Sequence, residues 1–315
     1  MERLIATRLI LAIPILFGVS LIVFLLIHTA PGGPETVFVD PRSAQTEDVA
    51  RIRENLGLNR PLYVQYAAWL SGLARGEFGR SFVTGQPVQE IIRDKFFNTL
   101  LLTGTALALA VVFAIPVGTY VGYKPSSVLN QLVTVLVYIG SAVPLFYLGL
   151  VFIYVFAVRL GWLPVGGVYS VGSEASIADR IKHLIMPAVV LAFSATPNLL
   201  RQTRAGVLNT LTSNFIMVAR GKGLRESTIL VRHVLPNALY PVVTILGLIV
   251  PHIVAGSVVV ETLFSWSGLG RAMVLAVGQR DYPTVIGLAL VVSGAVVVGN
   301  LVADLLYLVL DPRQR

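Results

Sequence analysis

The sequence predicts an all-α membrane protein with about six transmembrane helices, and two observations carry that prediction. Of 315 residues, 55% are hydrophobic and 13% charged, with a mean hydropathy of +0.79. That is more apolar surface than a water-soluble fold buries. The apolar residues also gather into runs of roughly 20, the length a helix needs to cross hydrocarbon while satisfying its own backbone amides.

Six runs meet that requirement, at 9–27, 99–123, 132–158, 184–200, 238–260 and 284–310, within one transmembrane domain covering 1–315. Arg3 and Arg8 ahead of the first run resemble a signal peptide. The run is longer than a signal core, however, and His28-Thr29-Ala30-Pro31 makes a poor cleavage site, so it is read as a retained helix. The third run is long enough to tilt or bend at Pro144, and the fourth is short and bounded by Pro187 and Pro197. Gly118-Thr-Tyr-Val-Gly122 has the spacing that lets two membrane helices approach closely.

Charge sets the expected orientation. The N-terminus, the Lys124 loop, the loop 201–236 and the C-terminus carry eleven Lys and Arg, against five in the loops around Arg180 and Arg271. Short loops rich in Lys and Arg stay in the cytoplasm, so both termini are expected there. The first loop, 29–98, holds eight basic and eight acidic residues and is long enough to translocate regardless of charge. It reads as folded. Thr46 can cap a helix opened by Glu47 and Asp48, with Val49, Ile52 and Leu56 on one face and Gly57 as the stop. Pro61 suits a second start, followed by the stripe Tyr66, Trp69, Leu70 and Leu73 and a stop at Gly76. Either this pair caps the outer mouth or lies in the interface, or it helps bind substrate.

The net charge of +8 does not indicate nucleic acid, because the basic residues are scattered between apolar blocks. With no cysteine, the chain has no disulfide framework, thiolate nucleophile or Cys-type metal site. Its four histidines fall in separate segments, without ligand spacing.

Loop 201–236 is basic yet unusually apolar. Arg201, Arg204, Arg220, Lys222, Arg225 and Arg232 face a single acidic residue, Glu226. Ser213 or Asn214 can cap a short helix over Phe215, Ile216, Met217, Val218, Ala219 and Arg220. Gly221 and Gly223 turn the chain sharply, before a second helix near Ser227–Val234 leads to Leu235-Pro236. Two short helices meeting at a glycine turn make a knob that can seat in a groove on a soluble partner.

From Asn214 the text NFIMVARGKGLRESTILVRHVLPNAL resembles the cytoplasmic loop signature of ABC importer permeases, E-A-A, three residues, G, nine residues, I, one residue, L-P. Ala219, Gly223, Leu235 and Pro236 match. Met217, Val218 and His233 stand where the signature has glutamate, alanine and isoleucine. Gly57–Tyr66 and Arg75–Ser81 resemble the first outer loop of the B-type permease of dipeptide and oligopeptide importers. Glu261–Gly270 and Arg280–Pro283 are similar to that family's last outer loop, with Ser267 where proline is usual, and Asn300–Arg313 to its terminus.

The resemblance implies a multi-pass permease of a bacterial-type cytoplasmic (inner) membrane, forming half of a translocation pathway for di- and oligopeptides. Its implied partners are a second homologous permease, two ATP-binding subunits and an extracytoplasmic substrate-binding protein. The knob would be the coupling helix, with Phe215, Met217, Val218, Ala219, Arg220, Gly221, Lys222, Gly223, Leu224, Leu235 and Pro236 as the ATPase-coupling residues. The chain has no Gly-x-x-x-x-Gly-Lys-Ser/Thr loop, and Gly221-Lys-Gly is too short to cradle phosphates, so ATP and Mg belong on the partners and no cofactor on this chain. Importers of nickel chelates or glutathione use similar permeases. A stand-alone secondary transporter or channel is a further alternative, whereas an intramembrane enzyme needs paired polar groups that these spans do not show.

Three residues, His252 and Asp304 within spans and Glu261 where the fifth span meets the outside, are candidates for the pathway or gate. Glu261, ahead of the interfacial pair Phe264 and Trp266, either lines the outer vestibule or ends a helix among headgroups. His252 either serves function or bonds a carbonyl freed by Pro251. Asp304 and Asn300 either hydrogen-bond between helices or belong to a proton relay. Because the chain has no cysteine, Ser213→Cys creates a single thiol on the knob. An impermeant maleimide should label it only after the cells are permeabilised; labelling on intact cells would reverse the orientation.

Overall fold

The computed structural model describes residues 2–29, 51, 54–55, 57–172 and 176–310. The helix expected to open at Thr46, with Glu47, Asp48, Val49, Ile52 and Leu56, lies outside them, as does the terminal Asp311-Pro-Arg. The described chain is almost wholly helical: α1 (Glu2–Thr29), α2 (Leu62–Leu73), α3 (Val88–Tyr123), α4 (Val128–Ala142), α5 (Leu145–Phe152), α6 (Ile177–Leu211), α7 (Asn214–Gly221), α8 (Glu226–Thr228), α9 (Leu235–Ala238), α10 (Tyr240–Leu263), α11 (Leu269–Gly278) and α12 (Tyr282–Leu310). Among the described residues, five helices are long and apolar enough to cross a membrane, or six if the bent pair α4 and α5 is one span. The protein is a multi-pass integral membrane protein.

Proline places the breaks. The third run, 132–158, is two helices bent by 105°, with Val143 extended (φ −78°, ψ 123°) between them. Pro144 has no N–H to continue the ladder, and its ring drives the preceding residue out of the helical region. After α5 the chain widens into π-type turns over Ile153–Arg159. Pro187 and Pro197, by contrast, sit inside α6, which starts on a Ser176 cap and runs past both ends of the apolar stretch 184–200. Hydropathy measures the width of hydrocarbon, about 30 Å, whereas 35 residues at ~1.5 Å each make a helix of about 52 Å.

The chain gathers into two compact units, Leu100–Trp266 with the chain from Val298 onward, and Glu2–Thr99 with Ser267–Val297. In the first, α6 is the central helix, its Met186, Val190, Leu191, Ala195 and Leu199 almost completely buried, with α4, α5 and α10 packed against it. The Gly118/Gly122 pair is where α3 meets α6. A Cβ on Gly118 would stand 2.8 Å from that of Thr203, and one on Gly122 would stand 2.9 Å from that of Val207. Only glycine permits that approach.

In the second unit, α2 begins after Pro61 and stops before Gly76 (φ +83°), as its sequence anticipates. Tyr66 lays it on α1 by ring contacts with Phe17 and Phe24 and a 2.8 Å hydroxyl bond to Ser20. The loop after α2 is held by Asp281, which is 3% exposed. Its carboxylate accepts from the Ser81 hydroxyl, the Phe82 N–H at 2.9 Å and the Thr284 hydroxyl at 2.7 Å. The segments 75–81 and 280–283, which resemble family loops in the sequence, are thus joined through one side chain. Lys95 and Asn98 of α3 donate to Ser267, at 2.7 and 2.8 Å.

Replacing Asp281 by Ala leaves buried donors unmet, each worth about 1–3 kcal/mol. Thermal denaturation in detergent should show a loss of roughly 2–5 kcal/mol for Asp281→Ala, against a change within ~0.5 kcal/mol for exposed Arg75→Ala.

Candidate functional site: the knob after the fourth span

The knob has two faces because its first helix is only two turns long. α7 runs from Asn214 to Gly221 after Ser213 at its N-cap. Ser213 contributes backbone rather than side chain: its carbonyl accepts from Ile216 at 3.1 Å and Met217 at 3.4 Å, while its hydroxyl donates to the Asn209 carbonyl at 3.3 Å. Ile216 and Ala219, one turn apart, point inward and join Val207, Ile229, Val234 and Ala238 in a small core separate from that of the spans. Phe215, Met217 and Val218 point outward and are 46%, 70% and 58% exposed. Leu224, 41% exposed, continues the apolar surface past the turn.

The turn falls at Gly223, not Gly221. Gly221 closes α7 and Lys222 caps it, whereas Gly223 takes φ +73°, a left-handed conformation that side chains oppose. The Gly223 N–H bonds the Arg220 carbonyl at 2.9 Å, and the Leu224 N–H bonds that of Ala219 at 3.3 Å. Arg220 then reaches Glu226 across the turn at 2.8 Å, and the Tyr123 hydroxyl at the end of α3 donates to the same carboxylate at 3.1 Å. The hydrogen bond to Glu226, reinforced by its charge, raises the Arg220 pKa above its ordinary value, so the guanidinium stays cationic.

The second helix expected near Ser227–Val234 is part of a longer helical run. α8 passes through a π-type turn at Ile229–Val234 into α9, which carries Leu235 and Pro236. α9 lies so close to α6 that a Cβ on Gly206 would meet the Ala238 carbonyl at 2.4 Å. The matched motif positions therefore have distinct places: Ala219 in the core, Gly223 at the turn, Leu235 and Pro236 where the knob rejoins the spans. Met217, where the signature has glutamate, is the most exposed apolar side chain of α7.

The three pathway candidates have different surroundings. Glu261 is fully buried, and Phe264 and Trp266, expected as an interfacial pair, are 1% and 0% exposed. The chain folds back there: Trp266 N–H bonds the Glu261 carbonyl at 2.8 Å, and Gly167 N–H bonds that of Phe264 at 2.8 Å. Asp304 is half-buried on α12. His252 opens onto a cavity of about 300 Å³ whose wall includes Ser141, Ser194, Asn198 and Arg201. Arg201, which the end of the apolar stretch places in the loop, has its signal in polar residues at 194, 198 and 201, which share one helical face.

A bundle of membrane-crossing helices that presents a folded knob between two spans, with a polar cavity beside the central helix, defines a membrane-embedded transport component. The chain belongs to the family described as binding-protein-dependent transport system inner membrane component, which matches residues 114–315, with that family's N-terminal part matching 1–103. Its similar proteins include the oligopeptide transport system permease protein AppB of Bacillus subtilis strain 168, 44% identical over 99% of both chains. The glutathione transport system permease protein GsiC of Escherichia coli strain K12 is 37% identical over 98% of this chain and 97% of its own. The fold is also that of the MetNI methionine ABC transporter in inward-facing conformations, with a TM-score of 0.56 and 19% identity, over 71% of this chain and 97% of that one. Members of this family are ABC importer permeases, transport components that work in a membrane with ATP-binding and substrate-binding partners.

Ile216→Ala should destabilise the knob by about 2–5 kcal/mol, because the small core cannot collapse into the vacated space. Val218→Ala should stay within ~0.5 kcal/mol. Protease cleavage of the loop in detergent reads both.

Proposed function

We propose that this chain is one of two permease subunits of a peptide importer in a bacterial-type inner membrane, with both termini and the knob in the cytoplasm. The observation that carries this reading is the two-faced knob. Phe215, Met217, Val218 and Leu224 make an apolar surface that the chain's own core does not use, ringed by Arg220, Lys222 and Arg225. Such a surface on a water-exposed projection calls for a partner groove. ATP-binding subunits, two per complex, supply it, with ATP and Mg between them.

Closure of those subunits binds the knob differently in two conformations, and that difference is what biases the spans between inward-open and outward-open states. The chain itself transmits and does not catalyse. Peptide cargo follows from the oligopeptide and glutathione permeases it resembles, glutathione being itself a tripeptide. A substrate-binding protein delivers the cargo on the outer side.

Purification of the tagged chain in mild detergent should bring down a second permease and two ATP-binding subunits. In that complex Gly223→Trp, strained by the positive φ, should cut peptide-stimulated ATPase and uptake by at least tenfold. Normal stimulation and uptake would remove the knob from coupling, and uptake by the chain alone without ATP would make it a secondary transporter.

A further inference from the structure

The cavity that His252 opens onto holds a cation, Arg201, beside the central helix. It lies where α4 breaks from α5, beside α6 and midway along α10, and it opens toward Arg201 at the end of the apolar stretch 184–200. Ser194, Asn198 and Arg201 reach it from one face of α6, Ser141 from the end of α4, and Phe193 forms an apolar part of its wall. Arg201 donates through Nη2 to Asn198 Oδ1 at 2.6 Å, which orients the guanidinium. Among the described residues that line the cavity, none is acidic.

Arg201 is exposed one residue past the apolar stretch 184–200, where a guanidinium faces water or an anion rather than hydrocarbon. Here the cation, a histidine and two hydroxyls share a space of about 300 Å³, at the lower end of small-ligand sites. Guanidinium pairs best with a planar oxyanion that accepts two parallel N–H bonds, and a carboxylate has that shape. We infer that this cavity is a transient site for the free carboxylate of the cargo in transit, with Arg201 as the pairing group and Asn198 as its positioning residue; the Ser141 and Ser194 hydroxyls are spent on the Val137 and Leu191 carbonyls, both at 2.7 Å, and only line the wall. The inference rests on the peptide-import reading and deepens it: oligopeptides and glutathione differ in length and side chains but share a terminal carboxylate. A site that reads only that group tolerates the rest of the cargo.

The test uses the assembled importer in proteoliposomes, with a labelled tripeptide and its C-terminal amide each at saturating binding protein. The readout is the ratio of free-acid to amide uptake, which does not depend on how much variant complex is active. Arg201→Gln should lower that ratio about tenfold relative to the unsubstituted complex and Asn198→Ala about threefold, whereas Arg201→Lys, which keeps the charge but loses the paired N–H bonds, should restore only part of it. If Arg201→Gln does not assemble, Asn198→Ala carries the comparison. An unchanged ratio across these variants overturns the carboxylate site and leaves peptide import standing, as it would if Arg201 served a phospholipid headgroup or a carboxylate of the partner permease. Failure of the unsubstituted complex to import either peptide overturns the cargo assignment itself, and the site with it.

Discussion

In hydrocarbon a backbone N–H or carbonyl has no water to turn to, and each apolar run must therefore close its hydrogen bonds internally as a helix. Prolines remove one donor each, and the chain answers them in two ways. At Pro144 the helix breaks and restarts at 105°. At Pro187 and Pro197 it continues, buried against its neighbours on α6. The break and the continuous helix lie side by side, and the cavity forms between them.

The same constraint separates the knob from the spans. Beyond hydrocarbon, short helices are marginal by themselves and need packing to persist. α7 gains it from Ile216 and Ala219, inserted among residues of α6, α9 and the π-type turn. Its outer residues are thereby freed from any structural duty. The turn at Gly223, the Arg220 and Glu226 pair and the Tyr123 hydroxyl fix the angle at which that outer face is presented.

Local rules made much of this legible from sequence. Apolar runs marked the spans, Pro61 and Gly76 bracketed α2, and the spacing around Gly223 marked the knob. The Gly118/Gly122 pair marked a real close approach. What periodicity could not show was long-range partnership. Ser81 and Asp281 are each unremarkable in their own windows, and only the fold brings them together. The apolar stretch ends at Leu200 and so places Arg201 in a loop, although α6 continues for eleven residues past that point. Phe264 and Trp266 looked like a membrane-interface pair by composition; the tight reversal at Ser265, with φ +51°, buries both instead.

The clasp at Asp281 has a consequence for biosynthesis. It joins residues 200 positions apart, so at ~5–20 residues per second the Ser81 side waits about 10–40 s for its acceptor to be translated. Throughout that interval the amino-terminal segment sits in the bilayer without its clasp. A chain that ends before residue 281 lacks the carboxylate that Ser81 and Phe82 bond, so its early loop has no such anchor.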